Sequence, residues 1–240
     1  MGRIGDFFYH LIIVILVAAA LVFLLMAFKE QYPIWKNQQE LENLRSKVEK
    51  KKTKNENPHI NWENLKSTNP EIVGWIKVPG TKIDYPILQG KEWNEYLHKN
   101  YKGDYSYAGS IFIQPEAAFN DQHLIIYGHN MKNNTMFGSL PKYSKQEYYE
   151  EHSVLYLLTP KQNYKVKLIA GYVTPSDSKV YEFEKTKEER SGLLKTALDN
   201  SLFTSGTTVS DEDRLLTLST CSYEYDNARF VLMGILKEIG

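Results

Sequence analysis

The 240-residue chain has one cysteine, and its 29 Lys+Arg cancel its 29 Asp+Glu to a formal net charge of zero. A single cysteine excludes an internal disulfide and a cysteine-rich zinc site. Zero net charge removes the overall pull toward nucleic acid, which rests on neutralising several phosphates. Arginine is scarce as well, supplying only 5 of the 29 basic residues. Internal repeats and low-complexity tracts are absent. What is present is a chain with 42% hydrophobic and 13% aromatic residues, too apolar to stay disordered and long enough for one sizeable domain plus an appendage.

The apolar residues are unevenly spread. Residues 7–28 read FFYHLIIVILVAAALVFLLMAF, while the mean hydropathy of the whole chain is −0.45. The uncharged stretch from Leu11 to Phe28 would make about 27 Å of helix, close to the hydrocarbon thickness of a bilayer. It reads as one N-terminal transmembrane helix, with residues 1–28 as the anchor. A cleaved signal peptide fits less well, because the small residues Ala18 to Ala20 lie inside the apolar run and the run is too long. Asp6 breaks the myristoylation pattern that Gly2 would otherwise start. Only Arg3 precedes the run, while Lys29 and Lys36 follow it, so positive-inside counting is slightly adverse to an exported C-terminus.

Residues 29–60 read as a helical stalk and linker. Ile34, Leu41, Leu44 and Val48 form one narrow apolar stripe, too short for a stable coiled coil, and Lys50–Lys54 with Asn55–Pro58 reads as a solvated linker. The folded domain is expected over 61–240. Asn61 can cap a short helix through about Ser67, which Pro70 prevents from continuing. Eight strand-like runs follow, at Val73–Val78, Asp84–Leu88, Ser110–Gln114, Leu124–Tyr127, Val154–Thr159, Tyr164–Val173, Leu215–Thr220 and Phe230–Leu236. Short Ile/Val/Tyr/Phe-rich strands between turn signals predict a mainly β fold, a sandwich or a closed barrel. One amphipathic helix is expected at Glu184 to Leu202, between two late strands.

Three residues could carry chemistry. Cys221 ends the run Thr217-Leu218-Ser219-Thr220-Cys221, where a strand gives way to a polar turn; a buried core cysteine is the bland alternative. Arg229 begins the next strand, so a hairpin would set it beside Cys221. There a guanidinium can stabilise negative charge and donate to an oxyanion; a surface arginine paired with Glu224 or Asp226 is the alternative. His129 stands in Tyr127-Gly128-His129-Asn130-Met131, at the junction of a strand and a loop. A zinc role for it with His123 is poor, because helical spacing and an acidic cluster are lacking. A thiol, a proton carrier and an oxyanion stabiliser together form a set for nucleophilic acyl transfer.

These residues resemble the sortase family, the membrane-anchored cysteine transpeptidases of Gram-positive bacteria. The likeness covers roughly Asn61 to Ile239. It looks like class B in the runs Tyr85-Pro86-Ile87-Leu88-Gln89-Gly90, Asn94-Glu95-Tyr96-Leu97, Gly109-Ser110-Ile111-Phe112 and Asn134-Thr135-Met136-Phe137, and in the late helix. The resemblance implies a closed eight-stranded β-barrel with Cys221 as nucleophile, His129 as proton carrier and Arg229 holding substrate and oxyanion. It implies Asn94, Leu97, Ser176, Val180, Tyr181 and Ser219 near the substrate groove, and neither cofactor nor metal. Its substrates would be secreted proteins bearing a C-terminal NPQTN-like or related Pro-x-Thr sorting signal, cut after Thr through a thioacyl intermediate. Its acceptor would be a peptidoglycan cross-bridge or lipid II amine, and its N-terminus would be cytoplasmic with the catalytic domain outside. Ser222 departs from the acidic residue that many relatives carry after the cysteine. Alternatives are another extracytoplasmic cysteine peptidase or transpeptidase, and a non-catalytic membrane-tethered β-barrel binding module. Against the first, neither an SHGC-like run nor a cysteine near the N-terminus is found.

Overall fold

The computed structural model describes residues 3–48, 60–182 and 186–239. The expected linker at 50–58 lies outside the described residues, as does Glu184 at the start of the expected late helix. The chain divides into two compact units, one ending at Asn43 and the other starting at Leu44. Helix α1 (Arg3–Val48) is continuous, with Pro33 inside it; the proline removes one backbone donor without ending the helix. An 18-residue window of α1 has a mean hydropathy of 3.3 and is apolar enough to cross a membrane. The apolar side chains from Phe7 to Phe28 are all exposed, a pattern that suits lipid as solvent.

In the second unit α2 (Trp62–Thr68) starts where Asn61 accepts the Asn64 N–H at 3.2 Å. It stops at Asn69, whose extended backbone (φ −153°, ψ 117°) is what the following Pro70 requires. Eight strands then close a barrel: β1 (Ile72–Lys77), β2 (Asp84–Gln89), β3 (Ile111–Ile113), β4 (His123–Tyr127), β5 (Val154–Leu158), β6 (Asn163–Pro175), β7 (Leu215–Cys221) and β8 (Ala228–Ile239). Around the barrel the order is β1-β2-β3-β4-β7-β8-β6-β5, with β5 pairing back to β1. The pairs β2/β3 and β4/β7 are parallel and the others antiparallel. Closure leaves no sheet edge to template association.

Helix α3 (Gln146–Glu151) precedes β5, and α4 (Lys187–Asp199) crosses between β6 and β7. Helix α4 begins at a capping box in which Thr186 accepts the Glu189 N–H and the Glu189 carboxylate accepts the Thr186 N–H. It ends before the expected Leu202 because that residue's N–H is already donated to the Gly171 carbonyl of β6, at 2.8 Å. Leu193, Leu194 and Ala197 of α4 are buried in one cluster with Ile169, Tyr172, Leu215, Val231, Met233 and Ile235. The helix therefore covers the outer face of β6, β7 and β8. This is why β7 reads as a continuous buried run from Leu215 to Thr220 instead of alternating.

Strand β7 is sewn to the segment after β4 by three bonds. Gly128 N–H donates to the Ser219 carbonyl (3.2 Å), Thr220 Oγ1 to the Gly128 carbonyl (2.8 Å), and Asn130 Nδ2 to the Cys221 carbonyl (2.8 Å). A Cβ at position 128 would stand 2.4 Å from Ile111 Cδ1 and 2.9 Å from the Phe137 ring, so glycine here makes room for those two side chains. Thr220 is 3% exposed. Thr220→Val keeps its shape but strips a buried carbonyl of its donor, and should cost about 1–3 kcal/mol. Urea unfolding of the full chain in detergent checks this, and an unchanged midpoint would show that the seam does not depend on the hydroxyl.

Candidate active site

Cross-strand partners on a pleated sheet carry their side chains on the same face. Tyr127 pairs with Ser219, Ser219 with Val231, Cys221 with Arg229, and Arg229 with Thr174 on its other side. Tyr127, Ser219, Cys221 and Arg229 thus share the face that bears the α4 cluster, at the end of the barrel where β4 and β7 finish. Cys221 and Arg229 face each other as the hairpin reading expected. The thiol is free and half-buried. The guanidinium is half-buried too, with Nη1 donating to the Ala228 carbonyl at 3.0 Å.

A short 3₁₀ turn, Lys179–Tyr181, closes over this face. Its Tyr181 hydroxyl shares a hydrogen bond with Ser219 Oγ at 2.7 Å, and its ring stacks on Tyr127 with centroids 6.3 Å apart. Burial pushes the Tyr181 phenol up to about 12, and the nearby Arg229 charge partly opposes that rise. Burial raises Tyr127 and Tyr172 as well. All three phenols stay neutral through the physiological range, so this wall can donate hydrogen bonds without bringing a negative charge near the thiol.

His129 enters from the loop after β4. Asn130 ties that loop to the Cys221 carbonyl, and Phe137 N–H closes it by donating to the His129 carbonyl at 3.0 Å. The imidazole Nε2 lies 2.8 Å from the Leu97 carbonyl, at the end of the 3₁₀ turn Glu95–Leu97. Its ring tilts against His98 with centroids 5.5 Å apart. Burial holds the imidazole pKa below its ordinary 6.5. The Leu97 carbonyl works in the opposite direction, and His98 adds to the lowering.

The residues expected near the groove separate into two sets. Asn94 and Ser176 are exposed; Asn94 caps the 3₁₀ turn without a side-chain bond, and Ser176 N–H donates to the Asn227 carbonyl at 3.1 Å. Leu97 and Tyr181 are half-buried. Val180 is 0% exposed within the α4 cluster and Ser219 is 3% exposed beneath Tyr181. Val180 thus seats the turn, and Ser219 holds its tyrosine. His123 stands at the other end of β4, paired with Leu215 and bonded to Thr217 at 2.8 Å. Six residues of strand, about 20 Å at roughly 3.3 Å each, separate that end from Cys221.

Four contributors lay outside the sequence expectation. Asn130 and Tyr127 flank His129 in the run that signalled it, but their partners are 91 residues away or in another segment. Gly109 belongs to a recognised run without a role attached to it. Glu224 folds back so that its carboxylate accepts from the Ser222 hydroxyl and the Tyr223 N–H. A carboxylate thus stands beside Ser222.

A sortase domain family model matches residues 76–237. Sortase B of Listeria monocytogenes is 40% identical over 178 residues, 72% of this chain and 72% of that protein. A Staphylococcus aureus sortase B–substrate complex matches with a TM-score of 0.73 at 28% identity, covering 89% of this chain and 99% of that one. A sortase B complexed with triglycine matches with a TM-score of 0.73 at 28% identity, covering 88% and 99%. The matched span takes in β2 to β7, most of β8, α4 and the whole Cys221–Arg229 hairpin, and the chain accordingly belongs to the sortase family as a class B cysteine transpeptidase.

Proposed function

We propose that residues 1–28 anchor the chain in the cell membrane with the N-terminus inside, that 29–60 form a stalk and linker, and that 61–240 work outside the cell. There the enzyme cuts a C-terminal sorting signal of the NPQTN or related Pro-x-Thr kind after Thr and joins the protein to a peptidoglycan or lipid II amine. The observation that carries this reading is the pairing of Cys221 with Arg229 at a strand end, beside a histidine loop tied to the same cysteine's carbonyl. The substrate and triglycine complexes of the related enzymes support a peptide donor and an amine acceptor.

Cys221 sulfur, as thiolate, attacks the Thr carbonyl carbon. A C–S bond forms while the carbonyl oxygen takes up negative charge, which the half-buried Arg229 stabilises. The C–N bond then breaks, and the His129 imidazolium gives its proton to the departing amine. An incoming amine attacks the thioester and returns a proton to His129. Its C–N bond forms as the C–S bond breaks, regenerating the thiolate. Protonated His129 is scarce at neutral pH because burial disfavours the imidazolium, so slow turnover is expected. Asn94, Leu97, Ser176 and Tyr181 are the groove residues of this reading, with the buried Val180 and Ser219 supporting its wall.

With full chain in detergent and a quenched NPQTN-type peptide, cleavage should fall between Thr and Asn. Cys221→Ala should abolish it, and His129→Ala and Arg229→Ala should each lose roughly 10²-fold or more. Retained cleavage in Cys221→Ala would sink the reading. A mass increase at Cys221 equal to the acyl fragment would identify nucleophile and scissile bond together.

The lowered His129 value fixes the sign of a second prediction. As pH falls through about 6.5 the unfolded chain takes up this proton first, so stability is lost from there down to the folded pKa and not beyond it. The unfolding free energy of the wild type minus that of His129→Gln should be flat above about pH 7 and decline below it. A difference that rises on acidification would mean that the folded imidazole is not desolvated.

A further inference from the structure

Four successive backbone carbonyls run from Tyr96 to Lys99, and the chain around Gly109 engages three of them. Ser110 N–H donates to the Tyr96 carbonyl (3.0 Å), Ser106 N–H to that of His98 (2.9 Å), and Ser110 Oγ to that of Lys99 (2.8 Å). The Leu97 carbonyl is directed instead to His129 Nε2, at 2.8 Å. Beneath this segment the Tyr96 hydroxyl is held by the Asn69 amide at 2.9 Å and by the Glu71 carboxylate. The carbonyl that meets the imidazole is therefore fixed from below and from both sides.

Gly109 makes the arrangement possible. Its φ is +57°, and a Cβ there would stand 2.3 Å from the Leu97 oxygen and 2.9 Å from both the Leu97 carbon and the Tyr96 oxygen. These are backbone atoms that cannot swing aside. A side chain at 109 has to displace the Leu97 carbonyl or open the loop, and the left-handed backbone adds strain of its own.

A carbonyl oxygen can only accept a hydrogen bond, so the nitrogen facing it must carry the hydrogen. We propose that Gly109 and the Leu97 carbonyl act as a tautomer clamp, holding neutral His129 in its Nε2–H form so that Nδ1 is the nitrogen that exchanges protons with substrate. The inference rests on the catalytic reading of His129 and adds the atom. In the acylation step the Nδ1–H of the imidazolium goes to the departing amine as the C–N bond breaks. In the second step the incoming amine returns its proton to Nδ1 as the C–S bond breaks, and Nε2–H stays on Leu97 throughout. Gly109 and Leu97 are positioning residues here, acting through the imidazole and the backbone.

The test is imidazole ¹⁵N NMR of the full chain in detergent, labelled at histidine, with His129 assigned by loss of its signals in His129→Gln. At a pH where His129 is neutral, Nε2 should be the protonated nitrogen and Nδ1 the bare one, in wild type and in Cys221→Ala alike. Gly109→Ala should populate both tautomers and lower kcat about 10- to 100-fold with a much smaller change in KM. A wild-type His129 carrying its hydrogen on Nδ1 overturns the clamp, as does a folded Gly109→Ala with wild-type tautomer and kcat. Should Gly109→Ala fail to fold, the wild-type tautomer decides alone. Full activity in His129→Ala would defeat the catalytic reading instead, an outcome the spectra do not depend on.

Discussion

The register between β7 and its two neighbours is the constraint on which the site depends. Side chains alternate across a sheet with period two, so a slip of one residue would turn Cys221 inward and Thr220 outward. That register is held on both sides: β8 pairs with β7 along its whole length, and β4 runs parallel to it from His123 to Tyr127. Beyond the last ladder pair, Thr220 and Asn130 extend the seam by side-chain bonds where backbone pairing ends. Cys221, the proposed nucleophile, therefore sits at the last position where a barrel can still fix a side chain and the first where a peptide can approach it.

His129 is held by opposed influences. Its neighbours Gly128 and Asn130 belong to the seam with β7, whereas its ring is bonded to a segment before β3. Burial makes the ring reluctant to ionise, and the Leu97 carbonyl offsets part of that penalty. The balance leaves a mostly neutral imidazole at neutral pH, and the proposed reaction needs it first as an acid and then as a base. A fully buried imidazole without a carbonyl partner would lose the acid role, and a fully exposed one would lose its fixed geometry.

Periodicity and punctuation made the barrel legible. Each of the eight strands was signalled by β-branched and aromatic runs between turns, and the observed bounds differ from the expected ones mostly at single terminal residues. Asn61 and Pro70 marked α2 through local backbone chemistry. Helix α4 ran shorter than its apolar pattern because Leu202 is claimed by β6, a tertiary bond that no window of sequence contains. The hairpin made the approach of Arg229 to Cys221 readable, since both ends lie within one short turn. The burial of Val180 and Ser219 was not readable in that way, because each depends on how one 3₁₀ turn lands on another strand. Gly109 shows the limit most plainly: its reason for being glycine is an oxygen twelve residues earlier, reached through folded backbone.

A chain of zero net charge gives an approaching peptide no general attraction, so any electrostatic help has to be local and has to be strengthened by its surroundings. Arg229 meets both conditions. It is half-buried and acts on the phenol of Tyr181, which itself stacks on Tyr127. Charge interactions grow as the effective dielectric falls, so partial burial strengthens this one. Because the surrounding phenols stay neutral, none of them neutralises the arginine, and its field remains available to the oxyanion of the proposed reaction. The scarcity of arginine in the chain thus matters less than where this one stands: a half-buried guanidinium keeps more of its field than many exposed lysines, screened by solvent and salt.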